Sequence, residues 1–310
     1  MQIHNIRLDS QANVADINLA IGNFDGLHLG HQKIIDELIK NSKIKNCTSA
    51  ILSFKPHPRQ FFSKKYYNFQ IISEEEKIYL LNKQGIDHYF SLRFDKKVAS
   101  LSPKDFITKI LIKKLNLKHL VVGYDFKFGK DRKGNASLLK EQSNILGFDI
   151  NIIQPIKSMN NSDVYSSSKI REFIKDGDME KANIFLGRKW SIQGTVIEGD
   201  KRAGALNFPT ANIVPGEYIH PKKGVYAIRA RYIDKLFDGI ANFGDRPTVD
   251  GKKLLLEAHL FNFNQNIYGK ELTVEFLAFI RGEKKFDNFD LLTKQIQKDI
   301  QLVKIYHSKQ

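Results

Sequence analysis

Hydrophobic and polar positions in the first half of the chain change repeatedly between a strand period and a helix period. Apolar runs predict five strands, at residues 16–24, 47–54, 88–94, 119–124 and 149–156. Helical spacing or helix-starting signals predict helices between them, at residues 31–42, 73–85, 102–115 and 136–147. Strands that alternate with helices of this length predict parallel βαβ units in an open α/β sheet, whose ligands bind at the carboxyl ends of the strands.

The pattern changes after two short helices, one that runs through Phe173 and Ile174 after the stretch 165–171 and one at residues 179–186. Six strand-like segments then follow with no helix between them, at residues 191–198, 208–214, 224–233, 236–243, 254–263 and 272–280. Such a run predicts an antiparallel barrel or sandwich. Residues 289–306 close the chain as an amphipathic helix. We therefore predict two domains, 1–186 and 187–310.

The composition fits a globular protein, since 42% of the 310 residues are hydrophobic and 22 are Phe. No apolar run approaches the ~20 residues of a membrane span. The N-terminus lacks the charged-then-apolar plan of a signal peptide, so no membrane association is expected. The single cysteine, Cys47, cannot form an internal disulfide and predicts a reducing, cytoplasmic location.

The net charge of +15 permits two interpretations. It indicates either binding of nucleic acid or phosphate-rich ligands, or a solvated surface rich in lysine. The lysines are spread along the whole chain and form no block of five like charges. The solvated surface is the better interpretation, and no nucleic-acid partner is expected. The sequence makes no prediction of oligomeric state.

The most informative stretch is Gly22–His31, which follows the first predicted strand and leads into a helix. His28 and His31 are three residues apart, so on a first helical turn both imidazoles lie on one face. Gly30 leaves no side chain beside them, and the free N–H groups of a helix N-terminus favour phosphate. These features suit a nucleotide triphosphate. The chain has neither a P-loop nor a dinucleotide-binding fingerprint, and no Cys/His cluster has zinc spacing.

The His-x-Gly-His element resembles the signature of the nucleotidylyltransferase superfamily. Three stretches that occur in the same order, 53–59, 122–129 and 167–171, resemble the adenylyltransferase half of the bacterial bifunctional riboflavin kinase/FAD synthetases. Four later stretches resemble the flavokinase domain of the same enzymes: 208–212, 239–248, 256–261 and 268–269. The resemblance implies a Rossmann-like nucleotidylyltransferase domain followed by an antiparallel β-barrel flavokinase domain with a C-terminal helix.

The resemblance also implies two sequential reactions with small-molecule substrates. The barrel would transfer the γ-phosphate of ATP to the 5′-hydroxyl of riboflavin, giving FMN. The N-terminal domain would join FMN to the α-phosphate of a second ATP, giving FAD and pyrophosphate. Mg²⁺ is the expected cofactor, because transfers of this kind need in-line positioning and charge neutralisation.

For the adenylyl step, His28 and His31 are predicted to donate hydrogen bonds to phosphate as charge develops in the transition state. Arg171 is predicted to hold the leaving pyrophosphate. The residues predicted to bind ATP here are Gly22, Phe24, Asp25, Gly30, His57, Ser167 and Ser168. His57 lies between two prolines, and a purely structural role suits it nearly as well.

Three residues of the 122–129 stretch are predicted to contact flavin: Asp125, Phe126 and Phe128. Asp125 is expected to orient the flavin or the ribose and not to act as a base, because a phosphate nucleophile is already ionised.

For the kinase step, Glu257 is the predicted base that accepts the proton of the riboflavin hydroxyl. By strand alternation it shares a face with His259, to which we assign a structural role. The alternative for Glu257 is a solvated strand glutamate. Thr210 and Asn212 offer oxygen ligands to a Mg²⁺ ion that bridges the ATP phosphates. Two further residues are predicted on the flavin side, Asn242 and Arg246.

One stretch departs from the family pattern. The kinases usually have Gly-Arg-x-Leu-Gly before Phe-Pro-Thr-Ala-Asn, in the loop that covers phosphates, whereas this chain has Ala203, Gly204, Ala205, Leu206 and Asn207. The arginine is missing, although Lys201 or Arg202 could replace its charge. Two alternatives therefore stay open: an adenylyltransferase whose barrel only binds flavin, and a basic nucleic-acid-binding or regulatory protein that senses flavin without turnover.

Overall fold

The computed structural model describes residues 1–10, 14, 16–63, 67–157, 163–198, 210–248 and 251–309. They form two compact units, one of residues 1–67 and 74–166 and the other of residues 68–73 and 167–310. The boundary at residue 186 stays a prediction. No helix within the described ranges is long and apolar enough to cross a membrane.

The first unit is an open parallel sheet with helices, as the sequence predicts. Its strands are β1 (Gln2–Ile6), β2 (Ile17–Ile21), β3 (Thr48–Lys55), β4 (His88–Arg93), β5 (Leu117–Gly123) and β6 (Asp149–Ile153). They lie in the order β1-β4-β3-β2-β5-β6, and every neighbouring pair is parallel. The chain runs from β2 to β3 on one side and returns to place β5 on the other side. A ligand crevice is therefore expected at the carboxyl ends of β2 and β5.

The helices of this unit begin and end at residues that satisfy their free backbone groups. They are α1 (Leu29–Lys45), α2 (Pro58–Phe62), α3 (Glu74–Lys83), α4 (Lys96–Ala99), α5 (Pro103–Asp105), which continues as a π-helix over Phe106–Ile112, and α6 (Ala136–Leu146). The Asn135 side chain accepts a hydrogen bond from the Leu138 N–H at the start of α6, and Gly147 ends that helix in the left-handed conformation.

The second unit is a closed barrel, which decides between the barrel and the sandwich. Its strands are β7 (Trp190–Ile197), β8 (Ala211–Ile213), β9 (Gly224–Tyr232), β10 (Lys235–Thr248), β11 (Gly251–Leu260) and β12 (Glu271–Gly282). They close in the order β10-β11-β8-β7-β12-β9, with antiparallel neighbours. Two helices precede the barrel, α7 (Ser167–Asp176) and α8 (Met179–Leu186), and α9 (Phe289–Ser308) follows it.

Helix α9 covers one outer face of the barrel, as its amphipathic pattern predicts. Ile300 and Val303 pack with Val225 and Ile240 in one apolar cluster. The buried carboxylate of Asp299 accepts hydrogen bonds from the Arg281 guanidinium, at 2.9 Å from Nε and 2.6 Å from Nη2. The helix is therefore held by an ion pair beside its apolar stripe.

Candidate active sites

The turn after β2 has an unusual backbone that packing holds in place. Phe24 and Leu27 have φ angles of 49° and 42°, in the left-handed region that residues other than glycine seldom adopt. Their side chains are 2% and 1% exposed, so the core fixes this conformation. The turn delivers the chain to the start of α1 at the carboxyl end of β2.

His28 and His31 lie together on one side of this turn, as predicted. Helix α1 begins at Leu29, so His28 is its N-cap and not part of its first turn. The Nδ1 atom of His28 accepts a hydrogen bond from the His31 backbone N–H at 3.3 Å. An accepting Nδ1 leaves the proton of a neutral imidazole on Nε2, which is then a donor. The two rings stack with centroids 3.7 Å apart and planes 20° apart.

Phe24 and Gly30 support the histidine pair. The Phe24 ring is buried and lies edge-on to the His31 ring, with centroids 5.2 Å apart. A Cβ on Gly30 would lie 3.1 Å from the His28 ring and 3.3 Å from the Tyr165 carbonyl oxygen. Gly30 therefore makes room for the protein's own groups. Asp25 is buried in the same turn, with 7% of its surface exposed.

Gly22 directly follows β2 and Gly123 is the last residue of the neighbouring β5, so the motifs that contain them meet at one edge of the sheet. Asp125 is exposed just beyond β5, and the Phe126 ring stacks on Phe128 at 5.6 Å. Phe128 is 6% exposed and belongs to the hydrophobic core. A packing role thus accounts for Phe128, while Asp125 and Phe126 lie closer to solvent.

His57 has a structural function in its own segment. It is the N-cap of α2, and its Nδ1 accepts a hydrogen bond from the Arg59 N–H at 3.1 Å. This contact accounts for a histidine between two prolines, and ATP binding by His57 stays a prediction.

Ser167, Ser168 and Arg171 lie in the first turns of α7, within the second unit. The Arg171 Nε donates a hydrogen bond to the Phe69 carbonyl oxygen at 2.8 Å, and its guanidinium lies 5.1 Å from the Phe69 ring centroid. The backbone of residue 69 therefore orients the guanidinium.

The predicted kinase residues meet on three neighbouring strands of the barrel. In the strand register Glu257 lies directly opposite Asn212 of β8 and Asn242 of β10, so the three side chains share one face. Glu257 is 8% exposed and Asn212 is 4% exposed. The alternative of a solvated glutamate is therefore wrong. Arg246 forms an ion pair with the Glu257 carboxylate.

Two further parts of the predicted kinase site are Thr210 and the altered phosphate loop. Thr210 comes directly before β8 and is half-buried. The altered phosphate loop, residues 203–207, lies outside the described residues together with Lys201 and Arg202.

Sequence reasoning missed two contributors to the histidine turn. One is the Tyr165 carbonyl oxygen beside Gly30, which no side-chain motif could reveal. The other is Lys77 of α3, which is 8% exposed and directs its ammonium group at the Asn23 carbonyl oxygen. The capping box that begins α3 predicts the helix but not this burial, because a helical lysine usually lies in solvent.

Comparisons with known proteins identify both domains. The family model of FAD synthetase matches residues 10–169, and that of riboflavin kinase matches residues 186–307. The bifunctional riboflavin kinase/FMN adenylyltransferase of Haemophilus influenzae is 40% identical over 93% of each chain. That of Escherichia coli K12 is 35% identical over 96% of this chain and 94% of its own. A crystal structure named macrolide-efflux protein, from Streptococcus pneumoniae, covers 95% of this chain and 97% of its own with a TM-score of 0.84 and 29% identity.

Proposed function

The chain belongs to the bifunctional riboflavin kinase/FMN adenylyltransferase family, and from that membership we propose how its residues divide the two reactions. The protein phosphorylates riboflavin to FMN with ATP and adenylylates FMN to FAD with release of pyrophosphate. Family membership favours these enzymatic steps over a sensor without turnover. One observation carries the division: the paired imidazoles lie in one compact unit, and the Glu257 cluster lies in the other.

In the adenylyl step, an oxygen of the FMN phosphate attacks the α-phosphorus of ATP, and the bond to pyrophosphate breaks. The nucleophile needs no base because it is already ionised. In this proposal both imidazoles donate to phosphate oxygens as charge develops. The His28 Nδ1, which accepts the His31 N–H, and the stacking of the two rings support it, because a neutral His28 then carries its proton on Nε2. Asp125 orients the flavin or ribose, since it is exposed beyond β5. The role of Arg171 on pyrophosphate rests on its motif alone.

In the kinase step, the nucleophile is a neutral alcohol, so a base lowers the barrier. Glu257 takes the proton of the riboflavin 5′-hydroxyl as that oxygen bonds to the γ-phosphorus of ATP and ADP leaves. Its ion pair with Arg246 fixes the direction of the carboxylate, and the adjacent Asn242 completes the flavin side.

Mg²⁺ fits the donors of the barrel, because Thr210, Asn212 and Glu257 all offer oxygen. Thr210 and Asn212 would hold the ion, whose charge offsets that of the ATP phosphates. The described residues contain no group of three or more His, Cys, Asp or Glu that could hold a metal. The proposed site thus depends on oxygens from Thr, Asn and the substrate. A cytoplasmic location is proposed on the single cysteine.

Two variants test the division in the full chain. Purified protein is incubated with ATP, Mg²⁺ and either riboflavin or FMN, and the flavins are separated by chromatography. Glu257→Gln should lose FMN formation and still convert supplied FMN to FAD, whereas His31→Ala should accumulate FMN from riboflavin. Folding is checked by thermal unfolding of each variant. Equal loss of both steps in a folded variant would contradict the division. If the wild type makes FAD when FMN is supplied but not when riboflavin is supplied, the kinase is inactive, as the altered loop would allow.

A further inference from the structure

An ion pair between a buried lysine and a half-buried glutamate lies beside the histidine turn and has no part in the chemistry assigned so far. Lys77 and Glu74 are three residues apart on α3, and the Lys77 Nζ lies 3.0 Å from the Glu74 Oε2. Their side chains are 9% and 22% exposed. Both charges lose part of their solvation in this pair, so the pair does not by itself argue for stability.

The rest of the first unit holds the Glu74 carboxylate firmly. The Tyr89 hydroxyl donates to its Oε1 at 2.6 Å. Burial opposes ionisation of Glu74, but Lys77, Tyr89 and Lys55 together keep the pKa of the carboxyl below its usual value. The Tyr89 ring also lies 5.8 Å from the Lys77 ammonium. The position of the ammonium is therefore set from two sides.

From this position Lys77 reaches the turn itself. Its Nζ lies 3.4 Å from the Asn23 carbonyl oxygen and 3.5 Å from the Ser53 Oγ. The buried Oδ1 of Asn23 has no hydrogen-bond partner among the residues that the structure describes. Asn23 precedes Phe24, whose backbone is in the left-handed conformation and whose ring lies edge-on to the His31 ring. The ammonium thus contacts the residue at which the backbone leaves its ordinary conformation.

We propose that Lys77, held by Glu74 and Tyr89, is a positioning residue for adenylyl transfer, which fixes the Asn23 carbonyl and through it the histidine turn. The inference rests on the proposed role of the turn in that step. In this role Lys77 acts through the turn and not by touching substrate, so its effect is on how precisely the two imidazoles are positioned. A lost contact at Asn23 should lower kcat for FMN adenylylation and leave the KM values for FMN and ATP nearly unchanged.

The test separates this role from a structural one by removing one charge or both. Lys77→Met leaves the half-buried Glu74 carboxylate without its ion-pair partner, so both the melting temperature and the adenylyl kcat should fall. Glu74→Gln/Lys77→Met removes both charges and keeps an acceptor for Tyr89, so the melting temperature should recover. Its kcat should stay about tenfold low with KM within about threefold, because the Asn23 contact is still absent. The matched control is Lys83→Met, which replaces an exposed lysine of the same helix and should leave the melting temperature and both activities at their wild-type values.

Riboflavin phosphorylation by the same preparations serves as an internal control and should not change. The proposal is overturned if the double variant regains the wild-type adenylyl kcat, or if phosphorylation falls in parallel with adenylylation. His31→Ala is measured alongside. If His31→Ala leaves adenylylation intact, the turn is not the site and the role of Lys77 falls with it. If His31→Ala loses adenylylation while the double variant keeps full activity, only the role of Lys77 is overturned.

Discussion

Replacing Gly30 with alanine should separate stability from adenylyl transfer. No positive φ is found at Gly30, so its backbone accepts alanine without strain. Position 30 is in α1, where alanine gains up to about 1 kcal/mol over glycine. The added Cβ would lie 3.1 Å from the Cε1 and Nδ1 atoms of His28 and 3.3 Å from the Tyr165 carbonyl oxygen. These distances require the neighbours to move by a few tenths of an ångström.

The cost of that movement should appear in the rate. A misplacement of 1 Å can cost about a hundredfold in rate, so a few tenths of an ångström at His28 should lower kcat for FMN adenylylation by about fourfold to tenfold. The assay follows FAD formation from supplied FMN under saturating ATP, with thermal unfolding measured on the same samples. We expect a melting temperature equal to or slightly above that of the wild type, because the helix gain offsets the crowding.

Two controls make the result interpretable. Lys40→Ala changes an exposed residue of the same helix and should alter neither activity. Riboflavin phosphorylation should be unchanged in Gly30→Ala, because Glu257 lies in the other unit. An unchanged adenylyl kcat would refute the claim that the His28 ring must stay where Gly30 allows it, and a parallel loss of phosphorylation would refute a local effect.

Three further outcomes are expected. Asp299→Ala removes the buried carboxylate that pairs with the half-buried Arg281 guanidinium, so it should lower the free energy of unfolding by about 3–5 kcal/mol in urea titrations. A loss below about 1 kcal/mol would contradict this. Burial lowers the pKa of His119 in the folded state, so the unfolded state binds more protons just below pH ~6.5. Stability should fall as the pH drops through that range. His119→Gln should therefore reduce the difference in melting temperature between pH ~7.5 and ~5.5, and an unchanged difference would count against the burial effect. Gly224→Ala should unfold the barrel and abolish FMN formation, because the added Cβ would lie 2.2 Å from the Arg281 carbonyl oxygen at a φ of 148°. Retained riboflavin phosphorylation would show that β9 and β12 can separate there.

The fold could be predicted where hydrophobic periodicity reflects burial. All five residues of β2 are buried, and the predicted strand contains them. The edge strand β1 escaped prediction because four of its five residues are not buried, so its sequence carries no clear alternation. The start of α1 was predicted two residues late, since histidine is not among the usual N-cap residues that mark a helix start.

The candidate sites could be predicted as far as their residues belong to short motifs. Strand alternation placed Glu257 and His259 on one face, but the register that sets Glu257 beside Asn212 and Asn242 depends on strands distant in sequence. The burial of Lys77 could not be predicted for the same reason. Its partners Asn23, Ser53 and Tyr89 come from separate elements that only the folded sheet brings together.

In each unit, the group assigned to the chemistry is oriented by a contact within the protein. His28 is oriented by the His31 backbone N–H, with the space that Gly30 leaves, and Glu257 is oriented by Arg246. These supporting contacts lie within one unit each, so their loss should act on one reaction at a time. A supporting variant should therefore change kcat for a single step, and the flavin that accumulates identifies the unit affected: riboflavin when the barrel is impaired, FMN when the histidine turn is impaired. A variant that slowed both steps while folded would show that the two sites share a support, which the division by unit does not allow.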